Sequence, residues 1–100
     1  MHLTSMARWA AAQDSGALVA PSLATEGFLH CAFADQVGGV IERHWRGAGE
    51  IMALTLDPQK LAGRLRVERS AGSGQDYPHL YGELPLAAVL SAQRMRTPEV

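Results

Sequence analysis

Residues 21–32 form the stretch that most constrains how this chain folds. Pro21 and Gly27 bound a turn, and the residues after Gly27 are typical of a short strand with alternate side chains on opposite faces. One face is predicted to enter the core: Leu29, Cys31 and Phe33. The opposite face carries Phe28, His30 and Ala32. Apolar packing does not explain a histidine on this face, so the strand is a candidate functional site.

Length and charge narrow the class of protein. A chain of 100 residues suits one domain, so we expect a single domain over 1–100, with a frayed tail at 97–100. Nine basic and ten acidic residues give a net charge of −1, which disfavours duplex DNA or RNA as a partner. The sequence has no secretory signal and no apolar run of about 18 residues. We therefore expect a cytoplasmic protein without a membrane segment.

Glycine and proline divide the chain into short helical and extended segments. Helical spacing predicts a helix at 5–14, capped by Thr4 or Ser5, with these residues on one face: Met6, Trp9, Ala10 and Gln13. A second helix is predicted at 34–46, begun by Asp35 and with this apolar stripe: Val37, Val40, Ile41, His44 and Trp45. Extended segments are predicted at 17–20, 28–32, 50–56, 64–68, 77–82 and 89–95. The pattern predicts a compact α+β domain with two small sheets and two main helices.

Several local patterns give finer predictions. Residues 50–56 alternate as a half-buried strand does, and residues 64–68 are predicted to direct Leu65 and Val67 inward. Asp57 followed by Pro58 predicts a helix start, and residues 70–76 have the composition of a flexible loop. His44 on its apolar stripe is expected to be a hydrogen-bonded core histidine.

Motifs spread along the chain resemble one known family. They are His2-Leu3-Thr4, Trp9, Ser22-Leu23, Glu26-Gly27-Phe28-Leu29-His30-Cys31, Leu56-Asp57-Pro58 and Tyr77-Pro78-His79-Leu80-Tyr81-Gly82. In this order they resemble the family catalogued as domain of unknown function 952, from His2 to about Val89.

The resemblance implies a fold and a type of chemistry. The family is grouped with the ADP-ribosyltransferase-like fold, a split pair of small, mostly antiparallel sheets with a cleft between them. That group includes enzymes that split the nicotinamide bond and RNA 2′-phosphotransferases. The resemblance therefore implies a transferase-type enzyme, and NAD as a cofactor enters only through it. His2 would match the first functional position, and the late acid would be Glu68 or Glu83.

The candidate site residues are histidines in extended segments and the polar or aromatic residues near them. Imidazoles are close to neutral at pH 7 and serve as donors or bases. We predict these catalytic residues: His2, Ser22, His30 and His79. We predict these ligand-binding residues: Glu26, Phe28, Glu68 and Tyr81. The ligand would be a nucleotide-derived or phosphate-bearing small molecule.

Other interpretations of the same residues remain open. The histidines can instead be clamps that hold loops to strands in a non-catalytic module. A Ser-His-acid hydrolase can be drawn from Ser22 with a histidine and an acid, but no Gly-x-Ser-x-Gly elbow surrounds Ser22. Arg64, Arg66 and Arg69 could hold a phosphate. No metal site is predicted, because the chain lacks Cys-x-x-Cys and two histidines at i, i+4 on a helix.

Overall fold

Short strands and helices succeed one another along the chain. The computed structural model of the protein describes residues 1–70 and 72–100. The helices are α1 (Met6–Ser15), α2 (Ser22–Thr25) and α3 (Val37–His44). The strands are β1 (His2–Ser5), β2 (Ala17–Leu18), β3 (Phe28–His30), β4 (Glu50–Leu56), β5 (Leu65–Arg69), β6 (Asp76–Tyr81), β7 (Leu84–Pro85) and β8 (Val89–Arg96). Single 3-10 turns occupy Ala34–Gln36, Pro58–Leu61 and Leu86–Ala88.

The strands form three small antiparallel sheets among the described residues. The first sheet has the order β1-β4-β8, the second pairs β2 with β7, and the third has the order β3-β6-β5. The predicted α+β domain with small antiparallel sheets is confirmed, and its radius of gyration of 12.9 Å is typical of one folded domain of this length. Two sheets were expected. The additional one arises because Ala17–Leu18 pairs with the distant Leu84–Pro85.

The central strand β4 separates two hydrophobic clusters. Met52 and Leu54 pack into the larger cluster, while Ile51 and Ala53 pack into the smaller one beneath α3. The prediction of a half-buried strand was therefore wrong. A strand between two partners in a sheet that is covered on both faces has no wet side, and this cannot be seen from the strand's own residues.

Helix α1 begins and ends as predicted within one residue, but only part of its predicted face packs against the core. The hydroxyl of Ser5 accepts a hydrogen bond from the Arg8 amide at 3.1 Å, and Gly16 ends the helix with φ 89°. Ala12 is the buried residue of α1, whereas Ala10 and Gln13 are exposed. Met6 and Trp9 of the predicted face do pack against the larger cluster, so that part of the prediction is confirmed and the part with Ala10 and Gln13 was wrong.

The region predicted as a helix at 34–46 is shorter than expected. Asp35 does not cap it, because the amide of Phe33 donates to the Gln36 side-chain oxygen at 2.9 Å and a 3-10 turn follows. The strand alternation stops at this turn, so Ala32 is buried and Phe33 is 45% exposed. His44 is exposed as well. The predictions of Phe33 and His44 as core residues were therefore wrong.

The prediction that Val67 points into the core was wrong, whereas the predicted turn at Asp57 is present. Val67 is 60% exposed, because β5 is an edge strand of the third sheet and only Leu65 packs against the core. Asp57 does begin a turn, with its carboxylate accepting from the Gln59 amide at 3.0 Å. The predicted loop at 70–76 includes Ala71, which lies outside the described residues, and its last residue, Asp76, belongs to β6.

The C-terminal segment makes hydrogen bonds at Thr97 and Pro98, while Val100 is fully exposed, and the frayed tail at 97–100 stays a prediction. Thr97 is buried, and its hydroxyl both accepts from the Gly49 amide at 3.0 Å and donates to the Gly49 carbonyl at 3.1 Å. The Gly47 amide donates to the Pro98 carbonyl at 2.8 Å. These bonds join the tail to the loop between α3 and β4.

Candidate functional site

The candidate site lies where an edge of the first sheet meets an edge of the third. The Cys31 amide donates to the Pro78 carbonyl in β6 at 3.0 Å, and the next amide, of Ala32, donates to the Met1 carbonyl beside β1 at 2.8 Å. The segment after β3 therefore contacts both sheets. This connection places β1 next to β3, although the two strands are far apart in the sequence.

A cavity of about 830 Å³ opens at this junction. That volume lies within the range of small-molecule sites. Its lining includes the three histidines predicted as catalytic, together with Glu26 and Phe28. The structure thus brings His2, His30 and His79 from three separate strands to one cavity.

Aromatic and imidazole rings share one face of the third sheet because of its register. His30 pairs with His79, and Phe28 pairs with Tyr81, so all four side chains point to the same side. The Phe28 and His79 rings are stacked with centroids 3.9 Å apart. The ring of His30 meets that of His79 edge-on at 5.5 Å. Leu29 and Leu80 occupy the opposite face and are fully buried.

Glu68 organises the side chains behind His79. Its Oε1 accepts a hydrogen bond from the Tyr81 hydroxyl at 2.6 Å and lies 2.8 Å from His79 Nδ1. The hydrogen bond from Tyr81, and then the one from His79, lowers the pKa of Glu68. The same carboxylate raises the pKa of the Tyr81 hydroxyl. Since an ionised carboxylate only accepts, Nδ1 of His79 donates to it, and in the neutral ring Nε2 then has a lone pair.

Of the two candidate late acids, Glu68 is the one beside the histidines. Glu83 is exposed, and its described contact is a carbonyl that accepts from Arg64 at 2.9 Å. Arg66 lies over the Tyr81 ring at 4.9 Å, which adds a cation on the outer side of the same network.

Glu26 and Ser22 both precede β3, but only Glu26 reaches a histidine. Helix α2 and the turn at Gly27, with φ 87°, bring the Glu26 carboxylate to 2.6 Å from His30 Nε2. Ser22 contributes its carbonyl, which accepts from the Glu26 amide at 2.7 Å, and Ser22 is not part of the cavity lining. The hydrolase interpretation that uses Ser22 as the nucleophile therefore lacks its geometry.

His2 is buried and has a defined tautomer. Its Nδ1 lies 2.6 Å from the His30 carbonyl oxygen, and since a carbonyl only accepts, Nδ1 carries the proton. Burial lowers the pKa of His2 to about 4, so the ring is neutral at pH 7. Its Nε2 is a buried acceptor without a partner among the described residues.

Sequence reasoning missed several residues of the cavity. Thr4 is buried at 2% exposure, and its hydroxyl has no partner in the described part of the chain. Arg8 and Arg43 also line the cavity, as does the exposed His44. Of the three arginines considered in the sequence as phosphate ligands, Arg69 lines the cavity, whereas Arg64 and Arg66 do not. The position of Thr4, two residues after His2 on one strand face, was the signal that could have identified it.

Residues 1–70 and 72–100 contain no cluster of side chains suited to bind a metal ion. No group of three or more potential ligands among histidine, cysteine, aspartate and glutamate is placed to hold an ion there. Cys31 is buried as predicted, and burial raises the pKa of its thiol to about 11. The thiol is therefore protonated at pH 7.

Comparison with known proteins places the chain in a family. The family model described as "Protein of unknown function (DUF952)" matches residues 3–92. The chain belongs to this family. The resemblance to DUF952 is thus confirmed over residues 3–92, while the wider ADP-ribosyltransferase-like grouping stays a prediction.

Solved structures share the fold of this DUF952 chain. Protein CC0527 from Caulobacter crescentus superposes with a TM-score of 0.81 at 25% identity, over 94% of this chain and 81% of that chain. A double mutant of CC0527 superposes with a TM-score of 0.80 at 24% identity, over the same shares of the two chains. No curated protein matches the sequence. In the described ranges, no helix has the length and apolar character needed to cross a membrane.

Proposed function

We propose that the cavity binds an anionic small molecule of the nucleotide-derived or phosphate-bearing class, and that the protein is a transferase-type enzyme acting on it. The observation that carries the proposal is the convergence of His2, His30 and His79 on one cavity. Side chains with titratable nitrogens that come from separate strands to one cavity are typical of binding and catalytic sites.

The charges around the cavity favour an anion. Three arginines line it, while Glu26 is its one acidic residue among the described lining residues. Arg43 donates to the Tyr77 hydroxyl at 2.7 Å, and Arg69 lies 3.3 Å from the Asp76 carboxylate. Arg8 has no carboxylate partner in the described residues. Arg8 is therefore the cation best placed to bind a phosphate or carboxylate.

The aromatic rings of the cavity favour a ligand that also has a flat group. Phe28 and Tyr77 line it beside the imidazoles, and Phe28 already stacks on His79 at 3.9 Å. A ring placed against these side chains would gain stacking as well as apolar burial. A phosphate joined to a flat ring describes a nucleotide-derived molecule.

The Glu68–His79 pair favours proton transfer as the chemistry. Glu68 holds the proton on Nδ1, so the lone pair of Nε2 can accept a proton from a reacting hydroxyl. His79 is thus the residue we propose as general base, and Glu68 positions it. Phe28 stacked on the ring keeps the imidazole from rotating.

NAD and the ADP-ribosyltransferase-like fold enter this proposal only through the family resemblance. Splitting a ribosyl bond builds positive charge on the sugar, which a carboxylate stabilises. Glu68 lies beside His79 and Glu83 does not, but neither is among the residues that line the cavity. NAD therefore belongs among the first compounds to be tested.

Amide NMR spectra recorded during titration with AMP, NAD and inorganic phosphate test binding directly. We expect a nucleotide to shift the amide signals of His2, His30 and His79 together, because their side chains line one cavity. Signals from β8, outside the cavity, should stay in place. Unchanged signals at all three histidines with every compound would overturn the proposal.

Arg8→Gln tests the charge argument. We expect the substitution to weaken nucleotide binding about tenfold, because a charged hydrogen bond to the anionic group is lost. Arg94→Gln is the matched control, since Arg94 is an exposed arginine near Glu50 on the first sheet and not part of the cavity. Isothermal titration calorimetry measures both. Equal losses in the two variants would contradict a specific role for Arg8.

A non-catalytic module with clamping histidines is the second candidate. It is favoured by the contacts of the imidazoles, since His2 donates to the His30 carbonyl and His30 lies 2.6 Å from Glu26. If His30 is a clamp, His30→Ala should lower the free energy of unfolding by about 1–3 kcal/mol. The His30–Glu26 pair is largely exposed, so the binding proposal expects a loss below about 1 kcal/mol. Urea denaturation distinguishes the two.

A further inference from the structure

We infer that His2 and Thr4 form a subsite for an uncharged hydroxyl group of the ligand, so that the cavity selects hydroxylated phosphate esters. This inference rests on the proposed function and adds the substrate class. The two residues are called the β1 subsite below. It lies on one face of β1, since His2 and Thr4 are two positions apart on the strand.

The β1 subsite is defined by two buried polar atoms that lack partners. Almost all buried polar atoms in folded proteins are hydrogen-bonded. In residues 1–70 and 72–100 the exceptions among side chains are His2 Nε2 and Thr4 Oγ1. Both residues are more than nine-tenths buried, and both line the same cavity. Their occurrence side by side indicates a site built to be completed by another molecule.

The tautomer of His2 determines which chemical group fits. Nδ1 donates to the His30 carbonyl at 2.6 Å, so Nε2 offers a lone pair and no proton. Burial also lowers the pKa of His2 to about 4, which keeps the ring uncharged. A phosphate or carboxylate oxygen has only lone pairs to offer and would be repelled by Nε2. The group at His2 must therefore donate a hydrogen bond.

The hydroxyl of Thr4 adds a second requirement, because the ligand group should also accept a hydrogen bond from it. A hydroxyl donates one hydrogen bond and accepts others, so it can donate to His2 Nε2 and accept from the Thr4 hydroxyl at the same time. One hydroxyl would thus satisfy both atoms of the β1 subsite.

The position of Arg8 indicates how the ligand is oriented. Arg8 lies in the first turn of α1, directly after β1, and it lines the cavity. His2, Thr4 and Arg8 all line this cavity, and Arg8 is four residues after Thr4 in the chain. A phosphate at Arg8 and a hydroxyl at the β1 subsite would then belong to one small molecule.

A pair of phosphate esters separates the contribution of the hydroxyl groups to binding affinity from that of the phosphate. Glycerol 3-phosphate and propyl phosphate have the same carbon chain and differ in their hydroxyl groups. We expect the protein to bind glycerol 3-phosphate about tenfold more tightly, as measured by calorimetry.

Thr4→Val keeps the shape of the side chain and removes the hydroxyl. We expect this variant to lose the preference while remaining folded, because the hydroxyl it removes has no partner.

Two further variants control the experiment. Thr55→Val changes a threonine on β4 that is not in the cavity lining and should keep the preference. His2→Asn retains a donor for the His30 carbonyl but lacks Nε2, so it should lose the preference as Thr4→Val does. The nitrogen-15 signal of His2 Nε2 should move with glycerol 3-phosphate and not with propyl phosphate, which distinguishes direct contact from an indirect effect.

The possible results separate this inference from the proposed function. If neither ester binds and the nucleotides also leave the cavity signals unchanged, the proposed function fails and the β1 subsite fails with it. If both esters bind equally, or if Thr4→Val keeps the preference, only the β1 subsite is overturned. A preference without movement of the His2 Nε2 signal also overturns it, because the hydroxyl is then bound elsewhere.

Discussion

At the scale of single residues, the partner of each imidazole decides what that histidine can do. His79 is aligned by Glu68, His30 by Glu26, and His2 by a main-chain carbonyl. These three environments differ in burial, so three identical side chains acquire different chemistry. His2 is the most buried of them and the one whose pKa is displaced to about 4.

Burial of His2 predicts a specific pH dependence of stability. Its pKa is about 4 in the folded protein and near 6.5 when unfolded. Between these values the unfolded chain binds a proton that the folded protein does not, so stability falls as the pH decreases from 6.5 to 4. We expect this residue to contribute a loss on the order of 3 kcal/mol over that window.

Denaturant unfolding at a series of pH values measures this effect. His2→Asn should flatten the dependence between pH 6.5 and 4, because asparagine does not titrate. His44→Asn is the control, since His44 is exposed and its replacement should leave the slope unchanged. A slope that persists in His2→Asn would show that another group causes it.

At the scale of elements, glycines have opposite roles in α1 and α3. Gly16 ends α1 with φ 89°, a conformation that other residues adopt only with strain. Gly38 lies inside α3 at an ordinary helical position, exposed and with open space around it. The same substitution should therefore have opposite effects at the two sites.

Gly16→Ala and Gly38→Ala form a matched pair. We expect Gly16→Ala to lower the free energy of unfolding by about 1 kcal/mol through backbone strain, since a Cβ there meets no atom within 4 Å. Gly38→Ala should raise it by about 0.5–1 kcal/mol, because alanine favours the helix. Thermal denaturation followed by circular dichroism measures both. Changes of the same sign would contradict the assignment of these backbone conformations.

At the scale of the whole molecule, contacts between distant segments hold the sheets and the tail together. Ala32 joins the third sheet to the first, and Thr97 joins the tail to the loop before β4. The cavity exists only because the first of these connections places β1 beside β3.

The contribution of the tail to stability can be measured by removing the hydroxyl of Thr97. Thr97→Val removes the side-chain bonds at 3.0 and 3.1 Å to Gly49. We expect a loss of about 1–3 kcal/mol in the free energy of unfolding, because the Gly49 amide loses its acceptor, while the Gly49 carbonyl still accepts from the Thr97 amide at 2.8 Å. Val100→Ala is the control, since Val100 is fully exposed. An unchanged midpoint of urea unfolding for Thr97→Val would support a frayed tail after all.

The candidate site could be predicted only in part. The histidines, Glu26 and Phe28 were identified from motifs, because their types and spacing are visible in the chain. Thr4 and Arg8 were missed, since an unpartnered hydroxyl and an unpaired guanidinium are defined by what surrounds them. Ser22 was included for its position before β3, and the direction of α2 takes it away from the cavity.

Features that depend on a few neighbouring residues could be predicted from the sequence. These are the α+β class, the strand before Cys31, the cap of α1, the turn at Asp57 and membership of the DUF952 family. Which faces are covered and which polar groups meet depends on the three-dimensional packing of the chain. It buried both faces of β4, exposed Val67 and His44, and placed Glu68 beside His79. The reason is physical: periodicity records local geometry, while burial and pairing depend on segments that the chain brings together only when it folds.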